Sequence, residues 1–303
     1  MHGVLVIAKP PGPTSHDVVA LVRRLASTRR IGHGGTLDPF ASGVLPLFLG
    51  GATRLVEYHL ADGKAYRATI CFGATSTTDD LDGELTPVEG GAAPTRDAVL
   101  EALAGFLGPQ LQQPPVYSAV QVGGRRAYAM ARAGETVDLP PRRVEIQAID
   151  LLEWDDRDPE RPIAIVDVTC SAGTYIRALA RDLGARLGSG AYLGALVRTA
   201  SGPFTLGTAR SLDSIREAAA AKGPEGIREL LLPADTGLDA LPSVSLTPAE
   251  IADAHQGRFV RPAGGLRGAE DGLPLRLVDA AGVIVGMGRR EGTRVAPTKI
   301  LPR

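Results

Sequence analysis

The sequence predicts an α+β fold built on a mixed, largely antiparallel sheet, with a small C-terminal β-barrel module. Three observations carry this expectation. Strand-like runs do not alternate regularly with helices, which disfavours a doubly wound parallel sheet. Helical stretches show apolar residues at helical spacing after capping residues. Residues 243–303 hold short strands separated by Gly-rich turns. With 303 residues, 44% of them hydrophobic, the chain can bury a full core and divides into a large unit, 1–240, and a small one, 243–303.

Residues 3–8 (Gly-Val-Leu-Val-Ile-Ala) read as a short buried strand, followed by a Pro-Gly loop. Ser15 is placed to cap a helix carrying Val18, Val19, Leu21, Val22 and Leu25. A glycine-rich loop around Asp38 follows. Residues 64–73 read as a strand, 74–94 as a long loop rich in Thr, Asp, Gly and Pro, and Thr95 to Leu107 as a helix. Strands are expected at 116–122, 143–152, 163–170 and 192–200, with helices at Arg125–Ala133 and after Gly173. Residues 209–240 look helical and linking, broken by Pro233 and Pro242. The tail then shows a short helix at 248–255 and strands near 275–279, 283–290 and 294–301.

Composition excludes little but orients the reading. No run approaches the roughly 18 apolar residues of a membrane span, and no secretory signal is evident at the N-terminus, so the cytoplasm is the expected compartment. Cys71 and Cys170 are too isolated for a disulfide framework or a zinc site and read as buried free thiols. The net charge of −1 does not advertise nucleic-acid binding. Its distribution is uneven, however. Arg23, Arg24, Arg29 and Arg30 cluster, as do Arg125, Arg126, Arg132, Arg142 and Arg143, while acidic residues gather at 79–84 and 153–160.

The run His33-Gly34-Gly35-Thr36-Leu37-Asp38-Pro39-Phe40-Ala41-Ser42-Gly43 presents one carboxylate in a loop built for close approach. Pro39 biases Asp38 away from the helical basin, and the glycines admit turns and a ligand near the backbone. On spacing alone, the same residues also make an ordinary surface turn.

Together with Gly3–Pro10, this run resembles the bacterial tRNA pseudouridine-55 synthase (TruB) family. Further matches follow in order: Lys64-Ala65-Tyr66-Arg67, Thr78-Asp79-Asp80-Leu81-Asp82-Gly83, Pro115-Val116-Tyr117-Ser118-Ala119 and Ser171-Ala172-Gly173-Thr174-Tyr175-Ile176-Arg177. They span most of residues 1–205. The resemblance implies a catalytic domain over 1–240 and a PUA-like RNA-binding module over 243–303, to whose closing strands Gly286-Met287-Gly288 and Arg294-Val295-Ala296-Pro297 are similar.

It further implies a stand-alone enzyme that isomerises the T-loop uridine of tRNA, without guide RNA, cofactor or metal. One large and one small unit fit a monomer. Asp38 would be the catalytic carboxylate, acting at C1′, at C6 or through a glycal. Arg177 would pair with it and lower its pKa. The resemblance places Tyr66 against the base as a C5 proton acceptor, Tyr175 in the nucleotide pocket and Leu196 as an apolar wall. His33 would fill the space left by a flipped base. Lys9 would contact a phosphate or support the Asp38 loop.

Two other readings use the same residues. An RNA-binding or RNA-folding factor would need no chemistry at Asp38. A nucleoside or glycoside hydrolase would want two positioned carboxylates, and the sequence shows no obvious second acid beside Asp38.

Overall fold

The computed structural model describes residues 1–118, 120–266 and 268–302. Ala119, which ends one of the motifs above, lies outside them, as do the side chains of Arg126 and Arg132. The chain begins with β1 (Gly3–Lys9), α1 (Ser15–Leu25), β2 (Ile31–His33) and β3 (Ser42–Leu49), and a 3₁₀ segment (Gly50–His59) leads into β4 (Lys64–Phe72). A hairpin, β5 (Ala74–Ser76) and β6 (Leu85–Pro87), precedes α2 (Arg96–Ala104) and β7 (Gly108–Gln112). Next come β8 (Gln121–Val122), β9 (Arg125–Arg126), α3 (Ala127–Arg132), β10 (Arg142–Asp155), β11 (Ile163–Cys170), α4 (Ile176–Leu187) and β12 (Ala191–Ser201). β13 (Phe204–Thr205), β14 (Arg210–Ser211), α5 (Leu212–Lys222) and α6 (Pro224–Glu229) complete the large unit.

One mixed sheet organises this unit, in the order β14-β1-β3-β12-β4-β11-β10-β7, with β2 on β3 and β13 on β12. Only β1 with β14 and β3 with β12 run parallel within it. The α+β expectation therefore stands, and β4, flanked by β11 and β12, lies in the middle of the sheet. Helices α1 and α4 turn Val18, Val22, Leu179 and Leu183 into the main core. Each such side chain contributes about 1.5–3 kcal/mol through burial. Gly184 lets α4 sit against the following strand, since a Cβ there would stand 2.1 Å from the Ala191 nitrogen.

Several local expectations need correction. The cap of α1 is Thr14, not Ser15: its hydroxyl accepts from the Asp17 N–H while the Asp17 carboxylate accepts from the Thr14 N–H. Residues 74–94 contain the β5–β6 hairpin, whose three-residue strands are hidden by their polar composition. The helix from Thr95 ends at Ala104, and Gly108, at φ +88°, turns the chain into the edge strand β7. The expected strand at 116–122 shrinks to Gln121–Val122, because the Tyr117 and Ser118 carbonyls accept from Arg177 and Tyr128 rather than from a ladder. Arg125 and Arg126 pair with that strand, so the helix starts at Ala127.

The tail forms β15 (Ser243–Ser245), α7 (Pro248–His255), β16 (Pro274–Val278), β17 (Ile284–Glu291) and β18 (Arg294–Ile300). Among the described residues these strands make an open four-stranded sheet in the order β15-β16-β17-β18, with one further bridge from Val260 to Val295. The sequence predicts a closed barrel; among its described residues the Gly-rich connection 256–273 supplies only that bridge. The tail has its own core around Leu246, Leu275, Leu277 and Val295. Met287 and Leu301, however, belong to a second cluster with Val4, Val6, Phe48 and Leu55 of the large unit. No helix among the described residues is long and apolar enough to cross a membrane.

Candidate active site

The loop between β2 and β3 holds Asp38, and four anchors fix it. Ser15, released from capping, accepts from the Leu37 N–H at 2.9 Å and donates to the Leu37 carbonyl at 3.1 Å. The Gly12 N–H donates to the Pro39 carbonyl at 2.8 Å. Lys9 Nζ donates to the carbonyls of Pro10, Pro13 and Pro39 at 2.9, 2.8 and 3.2 Å. Arg198, fully buried in β12, donates to the carbonyls of Val44 (2.7 Å), Thr36 (3.3 Å) and Gly35 (3.1 Å). Gly43 permits this approach: its φ is +105°, and a Cβ there would meet the Arg198 carbonyl at 2.2 Å.

Opposite the loop, β7 positions the start of α4 by a reciprocal pair of bonds. The Tyr175 N–H donates to Gln112 Oε1 at 2.8 Å, and Gln112 Nε2 donates to the Tyr175 carbonyl at 3.0 Å. This sets Arg177 in the first turn. Its Nε lies 3.0 Å from Asp38 Oδ2, and its Nη1 lies 3.2 Å from Asp80 Oδ2. The same guanidinium donates to the Thr78 carbonyl at 3.0 Å and to the Tyr117 carbonyl at 2.9 Å. Arg177 and Asp80 are each 6% exposed, whereas Asp38 is 37% exposed. Asp38 is thus the carboxylate a ligand can reach, and Asp80 is spent on holding the arginine.

Asp80 corrects the expectation that no second acid stands near Asp38. It sits in the β5–β6 turn, whose Asp79 pairs with Arg181 of α4 at 3.0 Å and whose Leu81 N–H donates to the Leu193 carbonyl of β12. The expected lowering of the Asp38 pKa is also reversed. Burial pushes the carboxyl above its ordinary range, and Asp80 adds to this, while Arg177 opposes without cancelling it.

Two cavities meet at Asp38. Thr36, Leu37, Asp38, Ser118 and Arg177 line both. The smaller, about 290 Å³, is walled by Lys64, Tyr66, Tyr175, Leu196 and Arg198. The larger, about 560 Å³, is bounded by His16, Phe40, Asp82 and Tyr128 among others. Asp38, Tyr66, Tyr175, Arg177 and Leu196, all singled out from the sequence, therefore surround one space. Burial raises the Tyr66 phenol pKa and Arg198 beside it opposes the rise, so the hydroxyl is neutral near pH 7. Arg142 stacks over the Tyr175 ring, 5.2 Å from its centre.

His33 lines neither cavity. It stands at the end of β2, where Nδ1 accepts from the Gly35 N–H at 3.3 Å and the ring meets His16 edge-on at 5.8 Å. Burial lowers its pKa, with the nearby His16 and Arg198 charges adding to the effect. Of the two roles expected for Lys9, the structure shows the second. The residue is 1% exposed and all three of its N–H groups are taken by carbonyls, so it supports the Asp38 loop and offers nothing to a phosphate.

Sequence reasoning gave no role to Asp80, Lys64 or Arg198, although Asp80 and Lys64 stand inside quoted motifs. The signal for Arg198 was its position two residues after Leu196, on the same face of a strand. Cys170 is buried and its thiol is pushed up to about 11, while Cys71 is half-buried. Of the clustered arginines, Arg125 is paired with Glu135 at 2.7 Å.

Residues 23–176 match the N-terminal domain of the TruB family of pseudouridylate synthases. Residues 177–239 match the tRNA pseudouridylate synthase B C-terminal domain. The chain is 48% identical to tRNA pseudouridine synthase B of Symbiobacterium thermophilum over 82% of its own length and 79% of the relative's. It is 42% identical to the protein of that name from Thiobacillus denitrificans over 99% and 96%. Among solved structures, a chain of an H/ACA RNP bound to a substrate RNA containing 2′-deoxyuridine superposes with a TM-score of 0.73 at 25% identity, covering 99% of this chain and 85% of that one. A chain of a Cbf5-Nop10-Gar1 complex gives 0.73 at 29% identity, covering 98% and 84%.

Proposed function

The chain belongs to the TruB family of pseudouridylate synthases, and on that premise we propose that it converts the uridine at position 55 of the tRNA T-loop to pseudouridine, with Asp38 as the catalytic carboxylate. Its relatives are tRNA pseudouridine synthases, so tRNA is its substrate. The observation that carries the proposal is the accessible Asp38 carboxylate, 3.0 Å from Arg177, on the wall of a cavity shared with Tyr66.

The reaction breaks the bond from ribose C1′ to N1, turns the base and rejoins it through C5. It needs neither redox chemistry nor an energy source. An ionised carboxylate beside Arg177 would serve attack at C1′, addition at C6, or stabilisation of an oxocarbenium-like sugar before a glycal forms. In this reading Tyr66 contacts the base and its hydroxyl oxygen stands where the C5 proton would be passed on, although burial keeps the phenol neutral, while Leu196 and Tyr175 enclose the base. The target lies within a folded RNA loop, so it must leave the stack at a cost of about a few kcal/mol. On the same reading His33, next in sequence to the cavity-lining Gly34 and Gly35, would fill the vacated position and offset that cost.

In this reading residues 1–240 carry the chemistry, residues 243–303 form a PUA-like module that adds RNA contacts, and the enzyme works as a cytoplasmic monomer without a guide RNA. Incubating the purified protein with unmodified tRNA transcript, then mapping pseudouridine by chemical labelling and primer extension, tests it. A single new pseudouridine at position 55 is expected. Modification elsewhere, or none, overturns the proposal.

A further inference from the structure

Three cations line the smaller cavity: Lys64, Arg177 and Arg198. Arg177 is spread over two carboxylates and two carbonyls, and Arg198 over three carbonyls. Lys64 is different. Among the described residues its ammonium donates one hydrogen bond, to the Asp62 carbonyl at 3.0 Å, which leaves two N–H groups without an acceptor there. The residue is only 8% exposed. Burying an ammonium with unused donors is costly unless something arrives to accept them. Lys64 also lies two residues from Tyr66 in β4, on the same face of the sheet.

We propose that Lys64 is a further catalytic residue: it donates to a carbonyl oxygen of the target uracil and stabilises the negative charge the base carries during isomerisation. The inference rests on reading the smaller cavity as the base pocket. When the C1′–N1 bond breaks, its electron pair stays with the base, and the charge is shared among N1, O2 and O4. Addition at C6 likewise places charge on the carbonyl oxygens. The C1′–C5 bond then forms, C5 gives up its proton and N1 gains one, so nothing is oxidised or reduced. A fixed, largely buried cation acts strongly on such transient charge. Asp62 from the preceding turn, Arg198 from β12 and Cys170 from β11 are the charged and titratable groups that act on the ammonium. Burial and Arg198 lower its pKa, against the pull of Asp62 and Cys170.

The test uses the full-length Lys64→Met and Lys64→Arg variants with unmodified tRNA, following single-turnover conversion, tRNA affinity and thermal melting. Lys64→Met should slow conversion by about 10²–10³-fold, with tRNA affinity held within about threefold because no phosphate contact is lost. Lys64→Arg should recover much of the rate. The wild-type rate should also fall on the alkaline side as the ammonium loses its proton, and Lys64→Arg should abolish that fall. A Lys64→Met enzyme at wild-type rate overturns the proposal. So does a Lys64→Arg enzyme that is equally slow or keeps the alkaline fall, which marks a merely structural lysine. Asp38→Asn, run alongside, separates the two readings: if it stays active the base-pocket reading fails, and if it is inactive the Lys64 result stands on its own.

Discussion

Arg177 Nε stands 3.0 Å from Asp38 Oδ2, yet it has no hydrogen-bond partner, because its N–H is not aimed at that oxygen. Charge, rather than a directed bond, holds the carboxylate there. The two Nη groups are fixed by Asp80, Thr78 and Tyr117. The cation is therefore held from three sides, and Asp38 stands beside it without a directed bond.

Asp38→Asn should lower pseudouridine formation by at least about 10²–10⁴-fold while leaving tRNA affinity intact. Its effect on stability should be neutral or favourable. A carboxyl whose folded pKa is raised loses stability as pH climbs from its unfolded value through the folded one, so at pH 7 the buried charge is a cost that asparagine removes. Thermal melting and tRNA turnover, measured on one preparation, check both halves. A clear drop in melting temperature would place Asp38 among the structural residues.

Arg177→Lys should move the acidic limb of the rate profile to higher pH. Asp38 must be ionised to act, so activity falls as pH drops through its pKa, and a weaker cationic partner raises that pKa further. Arg177→Ala should do the same but also cost about 3–5 kcal/mol by stranding the buried Asp80 carboxylate. Rate against pH and denaturant unfolding report the two effects, and an unmoved acidic limb in the lysine variant argues against the pairing.

Lys9→Met should destabilise the protein by about 1–3 kcal/mol for each carbonyl that water fails to reach. Turnover should fall with it, as the Asp38 loop loosens. The dependence of tRNA binding on salt should not change, because a buried lysine neutralises no phosphate. Urea unfolding and a salt titration of binding are sufficient, and a shallower salt slope would restore Lys9 as an RNA contact.

Met287→Ala should cost about 2–5 kcal/mol, because its side chain is fully buried in the cluster shared with Val4, Val6 and Phe48. A fragment ending near Leu241 should accordingly be poorly soluble or melt well below the whole chain. If that fragment is stable, the tail is an independent clamp on RNA and lends the large unit no support.

What the sequence disclosed followed how local each signal was. Asp38, Tyr66, Tyr175 and Arg177 sit in contiguous motifs, so their gathering around one cavity, with Leu196, was legible. The hold of Asp80 on Arg177 was not, because it joins the β5–β6 turn to α4. Strand periodicity puts Lys64 on the face of Tyr66 and Arg198 on that of Leu196, but that both faces border one cavity with Asp38 depends on how distant strands pair. The sheet's mixed character was readable from element order. Strands of two or three residues, β14 and β15 among them, owe their existence to partners far along the chain. The capping box misled by one residue, since Thr14 and Ser15 are both competent caps and Asp17 decides between them.

The second hydrophobic cluster imposes an order of events on a ribosome. Strand β1 is made well before several of its neighbours: Arg210 and Ser211, Leu232 of the Val4–Leu232 bridge, and Leu301, almost 300 residues later. At about 5–20 residues per second, a run as apolar as Val4-Leu5-Val6-Ile7 waits some tens of seconds for its final cover. Through that interval β3 is its nearest available partner. Changes that weaken the pairing of β1 with β3 should therefore reduce the yield of newly made protein more than they reduce the stability of finished protein.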